Sequence, residues 1–175
     1  DIAWMRDGQQ LNVKYIQQQT EKWCWAAVVA SVYEYFTKQD ISDCQVASIY
    51  HEKAIDCCAN VDKCMHGIRA THIDYLINTQ LKQGIKTTLV NGSLTFKQII
   101  NNINNNKVMI VVGDIAFGGY HAVIIEGYDI EENIIDVIDP NLGKIQIKFE
   151  DFISETTFKT WDFTIVVYKN SLIFQ

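Results

Sequence analysis

The sequence predicts an α+β protein in which a helical N-terminal lobe packs against an antiparallel β-sheet or barrel lobe. From Cys24 to about Gln80 the apolar residues recur with helical spacing, and from Ile85 onward most segments have the length and composition of strands. No internal repeat and no flexible Gly/Ser linker separates the halves. They read as lobes of a single domain over 1–175, the helical lobe near 17–81 and the β lobe near 85–169.

The first helix is "WAAVVASVYEYF", apolar on nearly every side, as suits a helix inside a core. "SDCQVASIYHEKA" and "IRATHIDYLINTQ" follow as helices with mixed faces. The strands are "IKTTLV", "KVMIVVGD", "YHAVIIEGYD", "NIIDVID", "KIQIKF" and "DFTIVVYK", with one helical stretch, "TFKQIINNI", after the first. The asparagines of "NNINNN" stand where that helix must stop before a strand, and asparagine tolerates the left-handed backbone of a helix end.

A chain of 175 residues, 48% hydrophobic and 11% aromatic, can bury the core of one soluble domain. Its net charge of −6, with no run of lysine or arginine, offers no footprint for a polyanion, so no nucleic-acid partner is expected. The longest apolar run, around Val108–Val112, has strand length, far short of the roughly 18–20 residues of a membrane span. No membrane partner is expected, and the chain is expected to act as a monomer. It opens on Asp1 with neither methionine nor a basic, apolar leader, and so reads as a processed or trimmed form.

Five cysteines, Cys24, Cys44, Cys57, Cys58 and Cys64, leave at least one unpaired. Two bridges among the last four would free Cys24 and suit an exported protein, secreted or periplasmic. A bond between the neighbours Cys57 and Cys58 would be strained, which leaves two connectivities open. The rival reading is a zinc site of Cys57, Cys58, Cys64 and His66, but adjacent cysteines point their side chains apart, unlike the usual paired spacing. Disulfides are the expectation, with no metal and no organic cofactor.

The chemistry centres on "QQQTEKWCWAA". If the helix starts at Cys24, the thiol lies at the positive end of the helix dipole, a position that favours thiolate; a small hydrophobe in the core is the alternative. Trp23 and Trp25 read as core packing rather than as walls of a cleft. Among the histidines, His51, His66 and His72 fall in the helical half and read as structural, whereas His121 follows "FGG" at the start of an apolar strand, where a ligand backbone could approach closely.

If "HAVIIEG" and "NIIDVID" form a hairpin, the pairing that sets Ile125 opposite Ile135 sets Val123 opposite Val137 and His121 opposite Asp139. Asp139 would then orient the imidazole; the alternative is that it only starts the turn at Pro140. Asp136, on the other face, and Asn141, past the proline, are weaker candidates. Acyl transfer also needs oxyanion donors. The Cys24 N–H is one, and Gln17, Gln18 and Gln19 are candidates for the second.

"QQQTEKWCWAA", "GGYHAVIIEGYD" and "DVIDP", in that order, resemble the papain-like cysteine peptidases, above all the compact bacterial branch of secreted peptidases and plant-pathogen effector proteases. The likeness spans nearly the whole chain. It implies the two-lobed papain-like fold and a cysteine endopeptidase acting on peptides or proteins. The implied site is a nucleophile at Cys24, a base at His121, an orienting group at Asp139 and an oxyanion glutamine at Gln18, six residues before the cysteine. The signature C-G-[SA]-C-[WY] of the plant and animal enzymes is replaced by "EKWCW", and His121 follows Cys24 more closely than the roughly 130–150 residues of that branch. A cell-wall peptide hydrolase, an acyltransferase and a non-catalytic binding module of the same fold are the competing readings.

Overall fold

The computed structural model describes residues 7–115, 119–153 and 158–170. Strand β1 (Gly8–Gln10) leads to helices α1 (Cys24–Thr37), α2 (Asp43–Tyr50), α3 (Val61–Cys64) and α4 (Ala70–Tyr75), the last continued by a π-helical turn, Leu76–Gln80. Then come β2 (Ile85–Asn91), α5 (Phe96–Asn104), β3 (Val108–Ile115), β4 (Tyr120–Asp129), β5 (Ile134–Asp139), β6 (Gly143–Lys148), α6 (Phe149–Ile153) and β7 (Phe158–Lys169). The strands form one sheet in the order β2-β7-β3-β4-β5-β6, antiparallel throughout, with β1 added to β4. The α+β expectation is met.

The central strands read as continuous apolar runs because both faces of the sheet are covered. Val108, Ile110 and Val112 of β3 join Ala122 and Ile124 of β4 in one core with α1 and the helical lobe. The alternate residues Met109, Val111, Val123 and Ile125 join a second core with Ile99, Ile103 and Phe152 of α5 and α6. Helix α1 is buried continuously from Trp25 to Val32, matching its all-round apolar sequence. Helix α2, capped by the reciprocal Ser42–Gln45 box, stops at Tyr50 rather than running to residue 54, because Glu52 and Lys53 both take left-handed backbone. Helix α5 ends within the asparagine run, where Asn106 has φ 59°. No helix among the described residues is long and apolar enough to cross a membrane.

The hairpin of β4 and β5 forms, but in a different register from the one expected. Ile125 pairs with Val137 and Ile124 with Ile138, while beyond Glu126 the partners are Gly127–Asp136 and Tyr128–Ile135. A β-bulge at Glu126 separates these two registers. Its side chain is fully buried and accepts the Val13 N–H at 2.7 Å, with Gln10 Nε2 at 3.2 Å and Lys144 Nζ at 3.4 Å on the other oxygen. The bulge thus receives the segment leading from β1 toward Cys24. In this register Asp139 falls two residues short of facing His121, on the same face of the sheet, and the two meet diagonally.

The helical lobe is stapled by Cys44–Cys58 and Cys57–Cys64, with Cα separations of 4.9 and 5.7 Å, which selects one of the two open connectivities. Cys24 is the free cysteine. The rival zinc set fails in this state, since Cys57, Cys58 and Cys64 are all in disulfides. Bridges of this kind contribute roughly 2–4 kcal/mol each.

Candidate active site

Cys24 is the first residue of α1, where its N–H has no partner within the helix. Trp23 and Trp25 anchor this helix start. Both are buried, and their indole N–H groups donate to the carbonyls of Cys64 and His66, each at 2.9 Å. The "WCW" motif therefore pins the helix to the disulfide-bonded segment. Trp25 also lines the cleft described below, so its role is wider than the packing expected of it.

A cleft of about 800 Å³ separates the two lobes and is lined by Cys24, His121, Asp139 and Gln18 together. His121 Nε2 and Asp139 Oδ1 are 2.9 Å apart, with both side chains largely buried. With Nε2 engaged, Nδ1 is the nitrogen left to face Cys24. Burial pushes the His121 pKa down, but hydrogen bonds to Asp139 and Cys24 and the charges of both outweigh it, raising the value to about 9. Burial pushes the Asp139 carboxyl up, yet the hydrogen bond and charge of His121, with the N–H groups of Asn141 and Leu142, bring it below the ordinary aspartate value. The imidazolium–carboxylate form is the favoured one near neutral pH.

Asp139 both starts a turn and holds the histidine, since its Oδ1 also accepts the Asn141 N–H at 2.8 Å. Asp136 is engaged elsewhere, accepting from Gln146 Nε2 at 2.8 Å. Of the glycines before His121, Gly118 lies outside the described residues, as does Phe117; Gly119 adopts φ +90° and lines the cleft. Gly113 pairs with His121 across β3 and β4, and a side chain there would collide with the Thr160 carbonyl where β7 bulges.

Gln18, and neither Gln17 nor Gln19, lines the cleft. Its Nε2 donates to Thr20 O at 2.7 Å, which uses one of two amide protons and leaves the second for a ligand. Its backbone N–H donates to Pro140 O at 2.9 Å, tying the glutamine loop to the turn that carries Asp139. The sequence reading missed Asp43. This carboxylate, 1% exposed, accepts the Gln19 N–H at 2.7 Å and the Cys44 N–H at 2.8 Å, clamping the loop from α2. The capping box marks where α2 starts, but no local signal shows that its first residue reaches back to Gln19. The cleft walls carry Ile68 and Ile73 from the helical lobe and Val112, Leu142 and Ile145 from the sheet lobe, with Glu21, Lys22 and Asn141 also lining them.

None of the curated proteins compared with the chain matches it. Among solved structures, it resembles the peptidase domain of Streptococcus ComA, a bifunctional ABC transporter involved in a quorum-sensing pathway, at 16% identity and TM-score 0.60, covering 91% of this chain and 100% of that one. It also resembles a double-glycine-motif protease from an AMS/PCAT transporter, solved with its leader peptide, at 17% identity and TM-score 0.56, covering 92% and 94% of the two chains. Xylellain, a cysteine protease from Xylella fastidiosa, matches at 10% identity and TM-score 0.52, covering 92% and 85%. At these identities the likenesses establish the fold, a papain-like one. The family follows from the sequence itself: the model of the Peptidase_C39 like family matches residues 10–163, a span that begins ahead of Gln18 and runs past Asp139. The chain therefore belongs to the Peptidase_C39 like family and is a papain-like cysteine peptidase.

Proposed function

We propose that the protein is a cysteine endopeptidase that uses Cys24, His121 and Asp139 as a triad, with Gln18 as oxyanion donor. The observation that carries this reading is the convergence on one cleft of a helix-start cysteine and a histidine whose other nitrogen is held by a buried carboxylate. Cys24 Sγ attacks the peptide carbonyl carbon, and the resulting oxyanion takes hydrogen bonds from the Cys24 N–H and Gln18 Nε2. His121 then gives its Nδ1 proton to the leaving amine as the C–N bond breaks, leaving a thioester. In the second half His121 removes a proton from water, which attacks the thioester and releases the acid. Each step uses side chains of the chain itself.

The substrate class is a peptide or protein in extended form. Support comes from the apolar residues on both sides of the cleft and from the leader peptide bound to the AMS/PCAT relative. The two disulfides support an exported, secreted or periplasmic, setting. Incubation with a diverse peptide mixture and with cell-wall fragments, followed by mass spectrometry, tests the reading: internal cleavage of ordinary peptides is expected. Cleavage confined to cell-wall peptides would make the protein a wall hydrolase instead.

Two variants separate the supporting roles. Gln18→Ala should lower kcat by about 10²–10³-fold with little change in KM, the signature of a lost oxyanion donor. A change confined to KM would assign Gln18 to substrate binding. Asp139→Ala frees the imidazole to rotate and should cost on the order of 10²-fold. Asp139→Asn should cost less, because its amide oxygen still accepts from the imidazole, as asparagine does in other cysteine–histidine sites. Equal and negligible losses in both Asp139 variants would move the orienting role elsewhere.

A further inference from the structure

Outside the cleft, three potential metal ligands converge behind the start of α1, with a fourth beside them. His51, Cys57 and Cys64 each offer a ligand atom within 4.8 Å of the others. His66 stands next to this set, its Nε2 facing His51 Nε2 at 3.0 Å. His66 Nδ1 is turned to the Gly67 carbonyl at 3.2 Å, which directs Nε2 inward, as the outer partner of a metal-bound histidine does. A tetrahedral zinc with bonds of about 2.0–2.3 Å requires ligand atoms roughly 3.3–3.8 Å apart, so the three must draw together and His66 must swing toward the sulfurs.

We propose that reduction of Cys57–Cys64 converts this cluster into a Cys57, Cys64, His51, His66 zinc site, a second staple for the same segment. The steps balance. A dithiol reductant supplies two electrons and two protons, the Cys57–Cys64 bond breaks to two thiols, and the reductant leaves as its own disulfide. Zn²⁺ then displaces both thiol protons and is held by two thiolates and two neutral imidazoles. Both sulfurs are fully buried, so a pair of thiolates there requires a cation. Cys58, in the other disulfide, takes no part.

The location gives the site a consequence. Trp23 and Trp25, which flank Cys24, donate to the carbonyls of Cys64 and His66. A staple at this segment, whether disulfide or zinc, holds the helix start that carries the thiol. The protein can therefore keep that start anchored in both oxidising and reducing surroundings.

The test uses the full chain carrying Cys24→Ala, so that the cleft thiol neither reacts nor binds metal. The protein is reduced with a phosphine, equilibrated with or without Zn²⁺, alkylated with iodoacetamide and mapped by mass spectrometry, with thermal melting in parallel. The expected result is one zinc per chain, protection of Cys57 and Cys64 but not of Cys44 and Cys58, and a zinc-dependent rise in Tm. The oxidised protein should bind none. His51→Gln or His66→Gln should each abolish or sharply reduce protection. Equal alkylation of all four cysteines with zinc, protection of Cys44 and Cys58 instead, zinc uptake by the oxidised chain, or protection unchanged in both histidine variants would overturn the proposal. So would unfolding on reduction that zinc does not reverse.

Discussion

Cys24→Ala is expected to lower peptide hydrolysis by about 10⁴–10⁶-fold, to the limit of detection, while the protein stays folded. The loss is large because in the proposed mechanism Cys24 forms the acyl intermediate, and the other cysteines are tied in disulfides. The fold should survive because Cys24 is only partly buried and the helix start is held by the indoles of Trp23 and Trp25. Circular dichroism and the melting temperature check the second point, and steady-state kinetics on a cleaved peptide checks the first. Activity retained in a purified, folded Cys24→Ala protein would remove the covalent mechanism altogether.

His121→Ala should be nearly as severe, with a loss of about 10⁴-fold or more, because in the proposed mechanism His121 is both the base and the acid of the two half-reactions. It should also change the pH dependence of stability. The folded-state pKa of about 9 lies above the ordinary 6.5, so the contribution of His121 is fully present below pH 6.5 and lost as pH rises through about 9. The Asp139 value is depressed, so its contribution is present above pH 3.8 and lost as pH falls through the lower folded-state value. The variant should therefore lose the decline in stability between pH 6.5 and 9 and be less stable than the parent near pH 6. Its stability should also fall less on acidification below pH 3.8, since without His121 the Asp139 value is no longer held down and that acid-labile contribution is gone. Chemical denaturation across that range measures both effects; superimposable curves for parent and variant would show that the ion pair does not form.

Much of this site is legible from local sequence. The alternation in "VMIVVGD" and "HAVIIEG", the apolar "WAAVVASV" and the glycines before His121 each state their environment within a few residues. The elements that the sequence did not disclose depend on contacts between distant segments. Glu126 reads as an ordinary strand residue, yet its burial under Val13 and Gln10 creates the bulge that shifts the β4–β5 register. A period of two fixes faces but not register: the turn sets Asp129 against Ile134, and with the bulge this leaves His121 and Asp139 diagonal rather than facing. The clamp of Asp43 on Gln19 spans 24 positions in sequence, and the anchoring of Trp23 and Trp25 spans 41 each. The disulfide pairing likewise follows from where α2 ends and α3 begins, which adjacent Cys57 and Cys58 do not encode.

The most direct test of the central claim is the rate at which iodoacetamide alkylates Cys24 as a function of pH, in the parent protein and in His121→Ala. An isolated thiol, with a pKa of about 8.5, reacts slowly at pH 6. If Cys24 and His121 work as a pair, the parent should be alkylated rapidly at pH 6, with the other four cysteines unmodified in the absence of reductant, and His121→Ala should react appreciably only at higher pH. A parent protein that reacts only above about pH 8, or a His121→Ala profile identical to the parent's, would contradict the account.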